Sequence, residues 1–320
     1  MDGGAIPAGD APFHAALAAP VAHDPLPDAP RTVRWLRAAD GVRLRAMAVG
    51  EAGAPEVLVL PGRTEYLEKY WPTALWLAAN GYRALAIDWR GQGLSDRLHG
   101  DRALGHVIRF ADYQSDLRAL LTLSEGGPAH LLAHSMGGCI ALRALVDGLA
   151  VRSAVFSAPM WGIRIDRVQR PLAWGVSWMA GPLGLSGRYA PGRGPRPIAE
   201  TAEGSLLTSD AETLAWMSRQ TAAAPDLALG GPSLGWLYEA LAEMRRLHAW
   251  PSPDVPALTG LGTAERVVDP ARIRDRMARW PNGTLAVHEG GEHELLLERP
   301  PLRDAFRAEI LAHFAAGARP

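Results

Sequence analysis

The chain has 320 residues, 48% of them hydrophobic, with 33 basic side chains against 34 acidic ones and a net charge of −1. That composition describes an ordinary globular protein with enough chain for one large core, and the charge balance excludes a general attraction for nucleic acid or acidic surfaces. A single cysteine, Cys139, cannot close an internal disulfide, so the fold must stand on its core and a cytoplasmic setting is expected.

Residues 1–30 are rich in Pro and Ala without periodicity and read as an arm lying on the surface. Asp2 stands where a secretory signal would carry positive charge, so no signal peptide is expected. Thr32–Ala38 and Val42–Val49 alternate around Ala39-Asp40-Gly41, which predicts a β-hairpin. The unbroken run Val57-Leu58-Val59-Leu60 predicts a strand buried on both faces. Beyond it the spacing predicts helix Tyr66–Asn80, strand Arg83–Ile87, helix Ala111–Ser124, strand His130–Ala133, helix Met136–Asp147 and strand Ser153–Ser157. Strands separated by helices imply an α/β fold with a mostly parallel sheet. From residue 161 to 250 that rhythm stops, and amphipathic helical pieces are punctuated by Gly-Pro at 181–182, 194–195 and 231–232. It resumes with strand Ala257–Leu261, helix Pro270–Trp280, strand Thr284–Val287 and a terminal helix near Pro301–Ala316. The expected organisation is thus an arm (1–30), a core (31–160 and 251–320) and a helical insertion (161–250).

Chemistry enters at Ala133-His134-Ser135-Met136-Gly137, between a buried strand and a helix. Small residues two before and two after the serine let the backbone turn sharply and expose its hydroxyl above a helix N-terminus, the nucleophile-elbow arrangement. Such a serine needs a base and a group to orient the base, and in this fold they follow in the order Ser, acid, His. His293 lies in the loop after the last strand, and Glu265 follows strand Ala257–Leu261 in the same way. His288 and Asp269 are the nearest competitors, but His288 falls at a strand end and Asp269 reads as the N-cap of the next helix. Two backbone N–H groups would stabilise the oxyanion, one from Met136 and one from Arg63 in the loop Pro61-Gly62-Arg63-Thr64, Pro61 having none to give. The Arg63 side chain can meet a substrate phosphate or pair with a neighbour such as Glu65.

No metal and no cofactor are expected. His293-Glu294 starts like a zinc-binding helix, but Leu297 stands where the second histidine would be, and Gly91-Gln92-Gly93 is followed by Asp96 where a dinucleotide loop has its third glycine.

Together these residues resemble the α/β-hydrolase superfamily, within it the monoglyceride lipase and lysophospholipase branch, whose domain is also described as serine-aminopeptidase-like. The resemblance spans about residues 30–160 and 250–316 and rests on Pro61-Gly62-Arg63-Thr64-Glu65, Asp88-Trp89-Arg90-Gly91-Gln92-Gly93-Leu94-Ser95, His134-Ser135-Met136-Gly137-Gly138, Gly262 to Asp269 and His293-Glu294-Leu295-Leu296. It implies a serine esterase working through an acyl-enzyme with Ser135, Glu265 and His293 as triad, a lipid or small-molecule ester as substrate, and the 88–95 run as a brace for the loops around the site. A peptidase or amidase of the same fold and a non-catalytic binding protein are the alternatives. The chain departs from the family pattern at Ala133 (usually Gly), Glu265 (usually Asp) and Pro61 (commonly His).

Six of the eleven tryptophans (Trp161, Trp174, Trp178, Trp216, Trp236 and Trp250) fall in the insertion, which the resemblance makes a cap over the active site. Trp161, Trp174 and Trp178 are candidate substrate-binding residues, lining an acyl-chain tunnel. Trp174 and Trp178 sit in the 14-residue apolar run Leu172–Leu185, shorter than the roughly 20 residues of a membrane span. Arg164, Arg167 and Arg170 precede that run, and Arg188, Arg193 and Arg196 follow it. Either the cap packs its aromatics on the core, or this segment makes transient, peripheral contact with a membrane surface. Every other basic residue besides Lys69, the one lysine, is arginine, which carries no functional reading here.

Overall fold

The computed structural model describes residues 9–166, 168–195 and 205–317; Arg167 and Arg196 of the flanking arginines, and residues 1–8 of the arm, lie outside them. Helix α1 (Ala15–Ala18) sits in the arm and is followed by strands β1 (Arg31–Arg37), β2 (Arg43–Val49) and β3 (Glu56–Leu60). Helix α2 (Leu67–Ala79), β4 (Arg83–Ile87), α3 (Tyr113–Leu121), β5 (His130–His134), α4 (Ser135–Val146) and β6 (Ser153–Ser157) continue the alternation. Between β6 and the next strand run α5 (Arg170–Ala180), α6 (Ala211–Ala223) and α7 (Leu234–Ala249). The chain closes with β7 (Ala257–Gly262), α8 (Pro270–Ala278), β8 (Gly283–His288) and α9 (Pro300–Gly317).

The strands form one eight-stranded sheet in the order β1-β2-β4-β3-β5-β6-β7-β8. β2 runs antiparallel to both its neighbours, and β4, β3, β5, β6, β7 and β8 are mutually parallel. The apolar runs explain this burial directly, because alternate side chains of a strand point to opposite faces. Leu58 and Leu60 of β3, Leu131 and Ala133 of β5, and Ala154 and Phe156 of β6 enter one core with α3, α4 and α8. Val57, Val59, Leu132 and Val155 enter the other, against α2 and α9. No described residue between β6 and β7 joins the sheet as a strand. The helix predicted from Ala111 begins as a 3₁₀ turn, Phe110–Asp112, where the Asp112 carboxylate accepts the Arg109 N–H.

The arm is threaded between buried partners. Ala18 is fully buried, Phe13 meets Trp71 edge-on, and the Asp24 carboxylate receives both Nη groups of Arg307 at 2.8 Å. Its carbonyls also accept from α6: Trp216 Nε1 donates to Ala19 and Gln220 Nε2 to Leu17.

One fully buried cation joins four parts of the chain. Arg45 on β2 donates through Nε to Asp88 (2.7 Å), through both Nη groups to Glu68 on α2 (2.8 and 2.7 Å) and to the Pro12 carbonyl of the arm (3.0 Å). Burial lowers the proton affinity of the guanidinium, but the Asp88 and Glu68 carboxylates more than reverse this and raise it above its ordinary value. Removing one partner of such a cluster strands the others in low dielectric. Arg45→Met is therefore expected to lower stability by about 3–5 kcal/mol, read as a shift in the urea midpoint at unchanged m-value; a loss within the scatter of surface substitutions would contradict the role given to this cation.

Candidate active site

The parallel strands deliver their C-terminal ends to one edge of the sheet, where a small set of loops meets. Ser135 is the first residue of α4, at the end of β5, and takes φ +47°, left-handed backbone that costs a side-chain-bearing residue energy. Thr64 (+70°) and Ala158 (+42°) are the other non-glycine residues with positive φ among those described, and each follows a strand that flanks β5. Strain is therefore concentrated around this serine. Gly137 makes the turn sterically feasible: a Cβ there would lie 2.6 Å from the Pro61 carbonyl oxygen and closer still to that of Leu60. The loop after β3 presses on the serine from the side, since a Cβ on Gly62 would come 3.1 Å from Ser135 Cβ. Met160 N–H holds the Ser135 carbonyl at 2.8 Å.

That loop is fixed by the 88–95 run. Trp89 Nε1 donates to the Pro61 carbonyl (2.8 Å), Gln92 Oε1 accepts the Thr64 N–H, and Asp88 accepts the N–H groups of Leu67 and Leu94, each at 2.8 Å. The backbone of Arg63 thus lies between two anchored neighbours beside Ser135.

Glu265 and His293 come together on the loops after β7 and β8. His293 Nδ1 donates to Glu265 Oε2 at 2.7 Å, and Glu265 Oε1 accepts the N–H groups of Val267 (2.6 Å) and Val268 (3.0 Å). Burial raises the proton affinity of Glu265, yet His293 and the two N–H donors outweigh it, leaving the carboxyl below its ordinary range. Glu265 is therefore ionised at neutral pH and fixes which ring nitrogen of His293 carries the proton. His288 turns away, its ring edge-on to Phe306 and Nε2 3.3 Å from Glu309, while Asp269 caps α8 by accepting the Ala271 N–H.

Behind the serine lies a buried charge cluster that motif reasoning did not find. Glu65, His134 and Glu294 bring their donor atoms within 4.8 Å of one another, the geometry of a cation site. The cation among them is Lys69, with Nζ 2.7 Å from Glu65 and 2.5 Å from Glu294. Glu65 also accepts from Tyr70 OH and from the Gly62 N–H, so it tethers the loop beside Ser135. Burial opposes ionisation of both acids; Lys69 and His134 keep Glu65 low, whereas Glu294 is pushed up to about 7. The His134 ring is 4.6 Å from that of His293, which links the cluster to the Glu265 pair. The signals available were Glu65 and Lys69 at i, i+4 and the placement of His134 and Glu294 beside Ser135 and His293.

The three candidate tryptophans are not gathered onto one wall. Trp161 is in the core, stacked on Trp280 with its indole N–H on the Gly138 carbonyl; Trp174 packs edge-on against Tyr238 of α7; Trp178 is 55% exposed on the outer side of α5.

A sequence profile of the family described as serine aminopeptidase, S33 matches residues 54–300. The chain belongs to that family. The S33-family chain is 33% identical over 272 residues to lysophospholipase L2 of Escherichia coli K12, covering 81% of its own length and 79% of the relative's. A monoglyceride lipase from Saccharomyces cerevisiae superposes with TM-score 0.74 at 17% identity, covering 94% of this chain and 99% of that one. A monoacylglycerol lipase from Paleococcus ferrophilus gives 0.66 at 19% identity, with 86% and 99% covered. The S33 protein is thus an ester-hydrolysing enzyme of the α/β-hydrolase fold. None of its described helices is long and apolar enough to cross a membrane.

Because the Glu265 carboxyl lies below its unfolded value, the stability it contributes is complete above the ordinary carboxylate range and is lost as pH falls through its folded pKa. Wild type is expected to exceed Glu265→Gln in unfolding free energy at neutral pH, with the gap closing as pH drops below about 4. A pH series of denaturant melts checks this, and a gap that widened in acid would show that His293 does not hold this carboxylate.

Proposed function

We propose that Ser135, His293 and Glu265 act as a triad that hydrolyses carboxylic esters through an acyl-enzyme. His293 takes the Ser135 hydroxyl proton through Nε2 as the oxygen attacks the ester carbonyl, while Glu265 holds the ring from the Nδ1 side. The N–H groups of Arg63 and Met136 receive the oxyanion, the imidazolium returns its proton to the leaving alcohol, and water releases the acyl group by the same steps. What carries this reading is the 2.7 Å Glu265–His293 bond, formed on loops at the sheet edge where the strained turn presents Ser135. The E. coli relative is a lysophospholipase and the two structural neighbours act on monoglycerides by name, which supports a single-chain lipid ester as substrate.

A p-nitrophenyl ester series from acetate to palmitate tests the chemistry and the chain length. Ser135→Ala is expected to reduce kcat by about a thousandfold or more, with wild-type kcat/KM rising toward long chains. Equal rates for the two proteins would end the enzyme assignment to this serine, and faster cleavage of aminoacyl p-nitroanilides than of any ester would turn the reading toward a peptidase.

The outer face of α5 supports access to lipid at a bilayer. Leu172, Val176, Met179 and Leu183 recur at helical spacing and are exposed, with Val168, Trp178 and Leu185 beside them, while Trp174, Ser177 and Ala180 face inward. A helical segment apolar on both sides, flanked by Arg164, Arg170 and Arg188, suits the headgroup boundary of an anionic membrane. Wild type is expected to sediment with phosphatidylglycerol vesicles, and Leu172→Ser combined with Leu183→Ser to weaken that binding about tenfold or more. Equal partitioning of both proteins would remove this face from the account.

A further inference from the structure

The oxyanion loop carries a charge that the mechanism above does not use. Either a substrate phosphate or Glu65 could have neutralised the Arg63 side chain, and the structure gives Glu65 to Lys69, Tyr70 and the Gly62 N–H. Arg63 instead turns toward the segment between β6 and β7. One Nη donates to the Gly230 carbonyl at 2.7 Å, the guanidinium lies over Trp236 at 5.2 Å, and Nε is sealed from solvent without a partner. Among the described residues no carboxylate pairs with it. Burial pushes Arg63 down to about 10, the Tyr113 hydroxyl opposes this, and its charged neighbour is a second cation, Arg193, which lowers it further.

Arg193 is exposed and makes no ion pair among the described residues, and its Cβ packs against Gly231. The two guanidinium-bearing residues therefore flank Gly230-Gly231. Glycine makes room for the Arg63 guanidinium itself: a Cβ on Gly105 would stand 3.1 Å from Arg63 Cζ and closer still to its Nη2. The strands of loop that frame it are tied together, since Gly105 N–H donates to the Gly231 carbonyl (3.0 Å) and Gly231 N–H to that of Gly194 (2.8 Å). Buried guanidinium lacking an acid, beside a second free one, is an arrangement that an anion with several oxygens completes, because Arg presents a fixed fork of donors matched to phosphate. Its place in the molecule then names the anion. The Arg63 backbone adjoins Ser135 through Gly62, and in a lysophospholipid the phosphate is separated from the scissile ester by only the glycerol carbons.

We propose that Arg63 and Arg193 form a phosphate subsite that selects lysophospholipids over monoacylglycerols, a deepening that rests on the ester-hydrolase reading above. Arg63 thus serves twice, its N–H toward the oxyanion and its side chain toward the headgroup.

The test compares 1-palmitoyl-lysophosphatidylcholine with 1-monopalmitoylglycerol in neutral detergent micelles. These share the acyl chain and differ by a zwitterionic headgroup, so long-range attraction of net charge is removed. The readout is the ratio of the two kcat/KM values, which cancels any change in the chemistry common to both. Wild type should favour the phospholipid. Arg63→Gln and Arg193→Gln should each lower the ratio about tenfold or more, and Gly105→Ala, which displaces the Arg63 guanidinium without removing it, should lower it in the same direction. An unchanged ratio in all three variants, with both substrates losing rate in parallel, would overturn the subsite and leave Arg63 as a clamp on the Gly230 loop. Inhibition of monopalmitoylglycerol hydrolysis by inorganic phosphate that vanishes in the Arg variants, with no change in the ratio, would assign the site to free phosphate and equally overturn headgroup selection. Turnover of neither lipid by wild type would fail the substrate reading itself, which a normal ratio test on an active enzyme separates from failure of the subsite alone.

Discussion

The site is organised by one close approach: the first turn of α4 lies so near the end of β3 that only a hydrogen fits at residue 137. That contact forces the chain to reverse abruptly at Ser135, and the reversal is what places a hydroxyl at the sheet edge with the helix N-terminus behind it. It also puts the loop after β3 beside the serine, so that Ser135 and the backbone of Arg63 are set by the same packing event. Packed interiors deform in steps rather than smoothly, and the positive φ values at Thr64, Ser135 and Ala158 are the local cost of the fit. Rigid neighbours bear that cost: Trp89 and Gln92 on one side, Met160 on the other.

Around this turn the protein repeatedly solves the same electrostatic problem, how to keep charge in a dry interior. Arg45 is met by Asp88 and Glu68, Lys69 by Glu65 and Glu294, and Glu265 by an imidazole and two backbone N–H groups. Each cluster ties together segments far apart in sequence, so the charges act as joints as well as ions. Among the described residues Arg63 breaks this pattern by having no acid partner, and the exception falls beside Ser135.

Much of this was readable because the residues involved obey local rules. Val57 to Leu60 and His130 to Ala133 are short, apolar and bounded, and a strand with those properties in an alternating chain has to be central. The loops that follow such strands share one edge, so it was legible from order alone that Ser135, Glu265 and His293 would lie on loops of the same edge. The cluster of Glu65, Lys69, His134 and Glu294 was not readable as a unit, since the i, i+4 spacing of Glu65 and Lys69 hints at one pair only and packing alone brings the end of β5 and the loop after β8 to it. Asp24 likewise looked like part of a surface arm, because its partner Arg307 lies at the far end of the chain. The tryptophans of the insertion show the same limit from another side. A helix apolar on both faces has no periodicity to say which face turns inward, and Trp161, Trp174 and Trp178 occupy three different environments.

Lys69 carries a consequence of a different kind. It is the one lysine in the chain, and it is almost completely buried between two carboxylates, while the exposed cations are guanidinium groups that acylating reagents leave alone. The folded protein therefore offers amine-directed reagents no accessible side chain, and acylation at Lys69 has to wait for the site to open. A single chemical mark at that position would count openings of the region behind Ser135, giving the molecule an intrinsic clock for its own local unfolding.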